Sequence, residues 1–320
     1  MARPEASAAG VRELPQTADA ICYSGYREGQ SPREGRYPSP DQVREDLVIL
    51  ADHWRYLRLY DSGPHAEIVL RVIRDEGLDL QVMLGADLAA EISNPDCPWG
   101  ASFDDATLRA NAQANDTEIE RQIALADAYP EAVFALAVGN EATVEWSDHL
   151  VPVESLTGYA RRVRGATRQP VTVCDNYVPW HSKLAAVAEH LDFISVHTYP
   201  VWEFKSIEAA MDYTLENYRG VAERYPDKPV VITEAGWTTS SNGRGIDPSN
   251  ASQELQAIYC RQLVDWARET GVLTFVFEAF DEPWKGSPDP LEPEKHWGLF
   301  TVDRMPKLVM RDAFSGRAAD

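Results

Sequence analysis

Short, uninterrupted apolar runs alternate along the chain with longer stretches in which apolar residues recur every three or four positions. The short runs fall at 20–23, 56–60, 80–84, 134–138, 171–174, 193–196, 230–233 and 273–277. Strands covered on both faces read this way, because neither face needs polar residues. The longer stretches predict helices at 39–53, 66–76, 111–129, 153–167, 182–190, 206–225 and 252–270. The first is the clearest, with Pro40 just after a serine and apolar Val43, Leu47 and Leu50 at i, i+4, i+7 spacing.

Eight strands, each followed by a helix or a long loop, describe an α/β protein of the (β/α)8 TIM-barrel type. A doubly wound open sheet is the rival, but Tyr23-Ser24-Gly25-Tyr26 lacks the glycine pattern such a sheet uses to hold phosphate. No linker or shift in composition divides the chain, so a single barrel domain is expected at 20–310. Tails are expected at 1–19 and 311–320. No run is long enough to cross a bilayer, and the first twenty residues have no continuous apolar stretch of the secretory kind. Location stays open: cytoplasmic, or secreted or periplasmic if a targeting segment precedes this sequence.

A net charge of −21, from 51 acidic and 30 basic residues, repels phosphate backbones. It argues against nucleic acid and anionic membranes as partners and favours a neutral substrate. A monomer is expected. The four cysteines, Cys22, Cys97, Cys174 and Cys260, show neither metal-ligand spacing nor a disulfide framework. No metal or organic cofactor is called for.

In a (β/α)8 barrel the C-terminal strand ends face the active site. That rule converts the strands into a list of candidates: Tyr26, Arg58, Tyr60, Asp87, Asn140, Glu141, Asp175, Asn176, Tyr177, His197, Tyr199, Glu234 and Trp237. After the eighth strand come Glu278, Asp281, Glu282, Trp284 and Lys285. For any one of these the plainer reading is a polar residue capping the next helix. Taken together, so many acids and aromatics directly after apolar strands point to a site. Glycosidic bond cleavage needs two carboxyl groups flanking the bond, about 5–5.5 Å apart when configuration is retained. Glu141 and Glu234, after the fourth and seventh strands, are placed to meet across the mouth. They need pKa values pushed apart, with Glu141 protonated and Glu234 ionised. Arg58 and Tyr60 are candidates to hold Glu234 ionised, although Arg58 could equally be an ion pair that packs the barrel mouth. His197 either touches substrate or bonds a neighbouring carboxylate.

The nine tryptophans suggest platforms for flat sugar faces. Trp202 and Trp284 are the favoured ones, with Trp237, Trp297, Tyr177 and Tyr199 nearby in the pattern. Trp54, Trp146 and Trp266 read as core.

Four segments make the resemblance specific: Val138-Gly139-Asn140-Glu141, Thr233-Glu234-Ala235-Gly236-Trp237, the run from Phe277 to Lys285, and Trp297-Gly298-Leu299-Phe300 with Asp303 and Pro306. With these pieces in order, the chain resembles the family-17 glycoside hydrolases, the β-1,3-glucanase family, and especially its bacterial branch. The resemblance implies a retaining (β/α)8 enzyme acting on β-glucan, with Glu141 as acid/base and Glu234 as nucleophile. It implies that Asn140 bonds the sugar 2-hydroxyl, and that Glu278, Asp281, Glu282 and Lys285 support the acid pair and bind sugar hydroxyls. Hydrolysis of laminarin-type β-1,3-glucan and transfer by a β-1,3-glucanosyltransferase share all these residues. A polar segment at 91–116 and the loop 240–250 depart from the plant members and leave endo or exo action open.

Overall fold

A computed structural model of the chain describes residues 14–17, 19–97, 100 and 102–314. Eight parallel strands close into a barrel in sequence order. They are β1 (Ala20–Cys22), β2 (Tyr56–Arg58), β3 (Gln81–Ala86), β4 (Val133–Asn140), β5 (Val171–Asn176), β6 (Ile194–His197), β7 (Val230–Ala235) and β8 (Thr274–Val276). Closure is made by β1, which pairs Ala20 with Tyr56 of β2 and with Phe275 of β8. Every residue of β1, β5, β6, β7 and β8 is buried, which accounts for the uninterrupted apolar runs. Each expected strand is present, shifted by a few residues at its ends.

The helices are α1 (Pro40–Ala51), α2 (Pro64–Glu76), α3 (Asp105–Ala128), α4 (Val153–Ala166), α5 (Tyr177–Ser182), α6 (Ala185–Ala188), α7 (Ile207–Arg224), α8 (Gln253–Thr270) and α9 (Val309–Asp312). Helix α1 starts where Ser39 accepts from the Gln42 N–H and the Gln42 side chain answers with a bond from the Ser39 N–H. Helix α3 starts six residues before the expected 111, because Asp104 caps it through the Thr107 N–H at 2.7 Å. Much of the supposed polar insertion at 91–116 is therefore helix; Pro98, Trp99 and Ala101 lie outside the described residues. The helix expected at 182–190 is instead the pair α5 and α6. Asn176 caps α5, and Trp180 within it is fully buried, its indole donating to the Ser195 carbonyl at 2.9 Å.

Both expected tails reach too far into the chain. Leu14 packs on the core, and the Asp19 carbonyl accepts from the Arg55 and Tyr56 N–H groups. At the other end Phe314 is buried against Trp54, with ring centroids 5.1 Å apart. The rest of those tails, at 1–13, 18 and 315–320, lies outside the described residues.

After β8 the chain doubles back, bridging Phe280 with Phe300 and Phe300 with Pro306. Arg304 fixes this return to α1: its Nε and Nη2 each lie 2.7 Å from the fully buried Asp46 carboxylate. Arg27 and the Tyr23 hydroxyl also bond Asp46, so that this buried charge is neutralised and hydrogen-bonded. Among the described residues, no helix is long and apolar enough to cross a membrane.

Candidate active site

The backbone is least regular where the carboxylates stand. Gly139 has φ 77° and Glu141 φ 47°, so the end of β4 turns through two left-handed residues. The β4–β5 register shifts between Ala137 and Asn140, and the β6–β7 register between Val196 and His197. Such irregularities re-aim side chains at strand ends. Gly236, just beyond β7, lets the Phe277 carbonyl approach; a Cβ there would lie 2.1 Å from that oxygen.

Glu141 and Glu234 converge from β4 and β7, each offering an oxygen that lies with His197 Nδ1 in a set no more than 4.8 Å apart. His197 Nδ1 is 3.0 Å from Glu141 Oε1 and 3.5 Å from Glu234 Oε2. Glu234 is buried. Its Oε1 pairs with Arg58 Nη1, and its Oε2 accepts from the Tyr199 hydroxyl at 2.5 Å. Burial opposes ionisation, but the charges of His197 and Arg58 and the bonds from Tyr199 and Arg58 outweigh it, bringing Glu234 down to about 2. Burial likewise opposes the His197 cation. The Glu234 charge and bonds to Cys174 and Glu141 win there too, lifting it to about 10.

Glu141, His197 and Glu234 are the group among the described residues whose donors stand close enough to hold a metal ion. His197 Nδ1, when it carries a proton, donates between the two carboxyl groups.

Arg58 is fully buried and does more than pack the mouth: Nη2 bonds Asn140 Oδ1 while Nη1 holds Glu234. Tyr60 does not bond Glu234. Its ring lies under the Arg58 guanidinium at 4.4 Å, and the phenol that bonds Glu234 is Tyr199.

Lys285 sits between Glu278 and Glu282, 2.7 and 2.8 Å from their carboxylates. Glu282 also accepts from the Ser24 hydroxyl at 2.5 Å and the Tyr26 N–H at 3.3 Å. Asp281 points away from this group. It bonds Lys307 at 2.7 Å and the Gly298 N–H at 3.0 Å, tying down the returning chain, which occupies it structurally instead of leaving it for sugar.

Trp284 remains in the cleft, with Tyr26 at its edge (6.0 Å) and Arg33 and Lys285 near its ring. Another expected platform is not free. Trp237 is fully buried against Tyr259 with its N–H on the Asn250 carbonyl. Trp202 is half-buried against Trp297 and closely approached by Gly245. Asn176 Oδ1 is taken up in capping α5, and the Tyr177 hydroxyl bonds that of Tyr213 at 2.7 Å. Trp54 is core and Trp266 packs on Tyr218. Trp146 is not core: it lies on a turn after β4 and is 39% exposed.

Three titratable residues went unassigned in the sequence. Asp175 is the penultimate residue of β5, and burial pushes its carboxyl up to about 7 despite a bond from Thr143. Glu294 stands half-buried near the pair. Burial raises it, Lys285 opposes, and the charges of Glu141, Glu292 and Glu234 add to the rise, to about 7. His149 lies beside Asn140. The strand-end rule marks Asp175 without giving it a task; Glu294 sits in a single 3-10 turn and His149 in a loop, where no periodicity flags them.

A closed parallel barrel with two convergent carboxyl groups at its C-terminal mouth has the architecture of a glycoside hydrolase. The chain belongs to the BtgE/BtgC glycoside hydrolase domain family, whose sequence model matches residues 20–298. It is 27% identical over 302 residues to a probable glucan endo-1,3-beta-glucosidase of Aspergillus clavatus, covering 86% of this chain and 40% of that protein. A glucan 1,3-beta-glucosidase of Arthroderma benhamiae is 32% identical over 135 residues, 39% of this chain and 44% of that protein. The chain thus spans about two fifths of the length of these curated relatives. Among solved structures, an endo-laminarinase from Formosa Hel1_33_131 superposes with a TM-score of 0.79 at 28% identity, covering 93% of this chain and 87% of that one. A glycoside hydrolase family 17 beta-1,3-glucanosyltransferase from Rhizomucor miehei shares the fold, with a TM-score of 0.70 at 23% identity over 92% and 96% of the two chains.

Proposed function

We propose that this chain is a retaining glycoside hydrolase that cleaves laminarin-type β-1,3-glucan by double displacement, with Glu234 as nucleophile and Glu141 as acid/base. The observation that carries the reading is the close approach of the two carboxyl groups, within 4.8 Å, with Glu234 held ionised by Arg58, His197 and Tyr199. An inverting pair stands about 6.5–9.5 Å apart to admit a water.

In the first step the Glu234 carboxylate attacks the anomeric carbon while the glycosidic C–O bond breaks, and the Glu141 proton passes to the leaving oxygen. A glycosyl ester on Glu234 results. In the second, Glu141, now a carboxylate, takes a proton from water as its oxygen attacks the same carbon and frees Glu234. Arg58 occupies the Asn140 side-chain Oδ1, which leaves the side-chain amide NH2 for the sugar 2-hydroxyl, a contact that strengthens in the transition state. The Tyr26 hydroxyl is buried without a protein partner and suits a sugar hydroxyl.

A sugar hydroxyl replacing water in the second step makes the chain a glucanosyltransferase. The likeness in fold to the Rhizomucor enzyme is the observation that keeps this reading in view. Incubation with a single laminari-oligosaccharide separates the two: shorter products mean hydrolysis, and products longer than the substrate mean transfer. Glu234→Ala abolishes both. Cleavage of the oligosaccharide by Glu234→Ala at the wild-type rate would overturn the assignment.

A further inference from the structure

The peptide that joins Asn140 to Glu141 is gripped on both sides. Its N–H donates to the Cys174 carbonyl at 2.9 Å, and its C=O meets His149 Nε2 at 2.8 Å. The other ring nitrogen, Nδ1, is 2.7 Å from Asp148 Oδ1. A carbonyl and a carboxylate can only accept, so both ring nitrogens of His149 must carry hydrogen, and the side chain is an imidazolium.

The surroundings keep it so. Asp148 faces His149 from its own loop and Asp87 from the end of β3; Arg33 faces both of those acids, and Glu118 of α3 faces Asp87. Burial opposes the charge, but the Asp148 and Asn140 bonds and the Asp87 and Asp148 charges lift His149 to about 9. The residue that follows this peptide, Glu141, is the left-handed one, a backbone state that a side chain larger than glycine seldom holds without outside support. His197, Asp175, Glu234 and Glu294 face the Glu141 carboxyl itself, whereas His149 acts on its backbone.

We propose that His149, fixed as a cation by Asp148, is the positioning residue for the acid/base: it sets the Asn140–Glu141 peptide so that the Glu141 carboxyl is aimed at the glycosidic oxygen. This inference rests on the reading of Glu141 as the acid/base.

Aim matters only to a substrate whose leaving group needs a proton. The test therefore compares kcat/KM, which reports the first step, on a laminari-oligosaccharide and on a dinitrophenyl β-laminaribioside. Loss of the acid costs the first and spares the second. His149→Ala lowers kcat/KM on the oligosaccharide by about 100-fold, as a misplaced catalytic group does, and on the aryl glycoside by less than about threefold. His149→Gln, which keeps a donor of similar reach, recovers most of the loss. Asp148→Asn, which leaves His149 in place but takes away its charge partner, shows the same split on a smaller scale and serves if His149→Ala does not fold.

Equal falls on both substrates, or no fall on either, overturn the inference. Glu141→Ala run alongside keeps the two readings apart. If it shows the split and the His149 and Asp148 variants do not, only this inference fails. If Glu141→Ala cleaves the oligosaccharide normally, the acid/base assignment fails first.

Discussion

Tyr199→Phe removes one oxygen and nothing else. The ring keeps its edge contacts with Phe277 and Trp297, at 5.6 and 5.1 Å, so the fold should be untouched. What is lost is the 2.5 Å bond to Glu234 Oε2. Burial and the nearby Glu234 charge hold the phenol well above its ordinary range, so it is a donor at every working pH. A hydrogen bond to a charged group is worth about 1.5–3 kcal/mol, and one pKa unit corresponds to about 1.36 kcal/mol. Deleting it should lift Glu234 by roughly one to two units, from about 2 to between ~3 and ~4.

The sign follows from the depressed carboxylate. Its benefit is present above the ordinary glutamate value and disappears as pH falls through the folded-state value. At acid pH a larger share of Glu234 is therefore protonated in Tyr199→Phe than in the wild type. The assay is kcat/KM on a laminari-oligosaccharide from pH 2.5 to 7, with melting temperatures measured at each pH. The acid limb of Tyr199→Phe should lie one to two units above that of the wild type. Coincident limbs, with both proteins folded, would refute the claim that Tyr199 helps to keep Glu234 ionised.

Three further outcomes are expected. Trp284→Ala should raise KM for short glucans about tenfold, the worth of one stacking contact, and leave kcat within about threefold; a kcat effect without a KM effect would remove Trp284 from the sugar-binding surface. Asp175, raised to about 7, stays protonated in the folded chain after the unfolded chain has ionised, so it erodes stability as pH rises from about 4 to 7. Urea midpoints of Asp175→Asn should fall less than those of wild type between pH 4 and pH 8, the gap corresponding to about 4 kcal/mol at most. Arg304→Ala removes one of two cations on the buried Asp46 carboxylate and leaves Arg27 and Tyr23 bonded to it, and chemical denaturation should show a loss of about 1.5–3 kcal/mol.

The sequence made the barrel legible because its strands are buried on both faces, and such strands leave uninterrupted apolar runs. Strand ends then pointed to Glu141, Glu234 and Arg58, since the architecture fixes which end faces the site. What the pattern could not supply was side-chain direction. Trp237 follows a strand just as Tyr199 does, yet one is sealed against Tyr259 and the other reaches Glu234. Asp281 and Glu282 are neighbours in the chain but bond Lys307 and Lys285 on different sides of it. His149 was illegible for another reason. Its partner, Asn140, is nine residues away across an irregular loop, and no period links the two. The tail boundaries failed because single apolar residues, Leu14 and Phe314, anchor polar segments.

We propose that Glu141 and Glu234 cleave with retention through an ester on Glu234. Proton NMR of a laminari-oligosaccharide digest, recorded within the first minutes before mutarotation, reads this directly. With retention, the new reducing ends appear first as the β-anomer. First appearance of the α-anomer would contradict it.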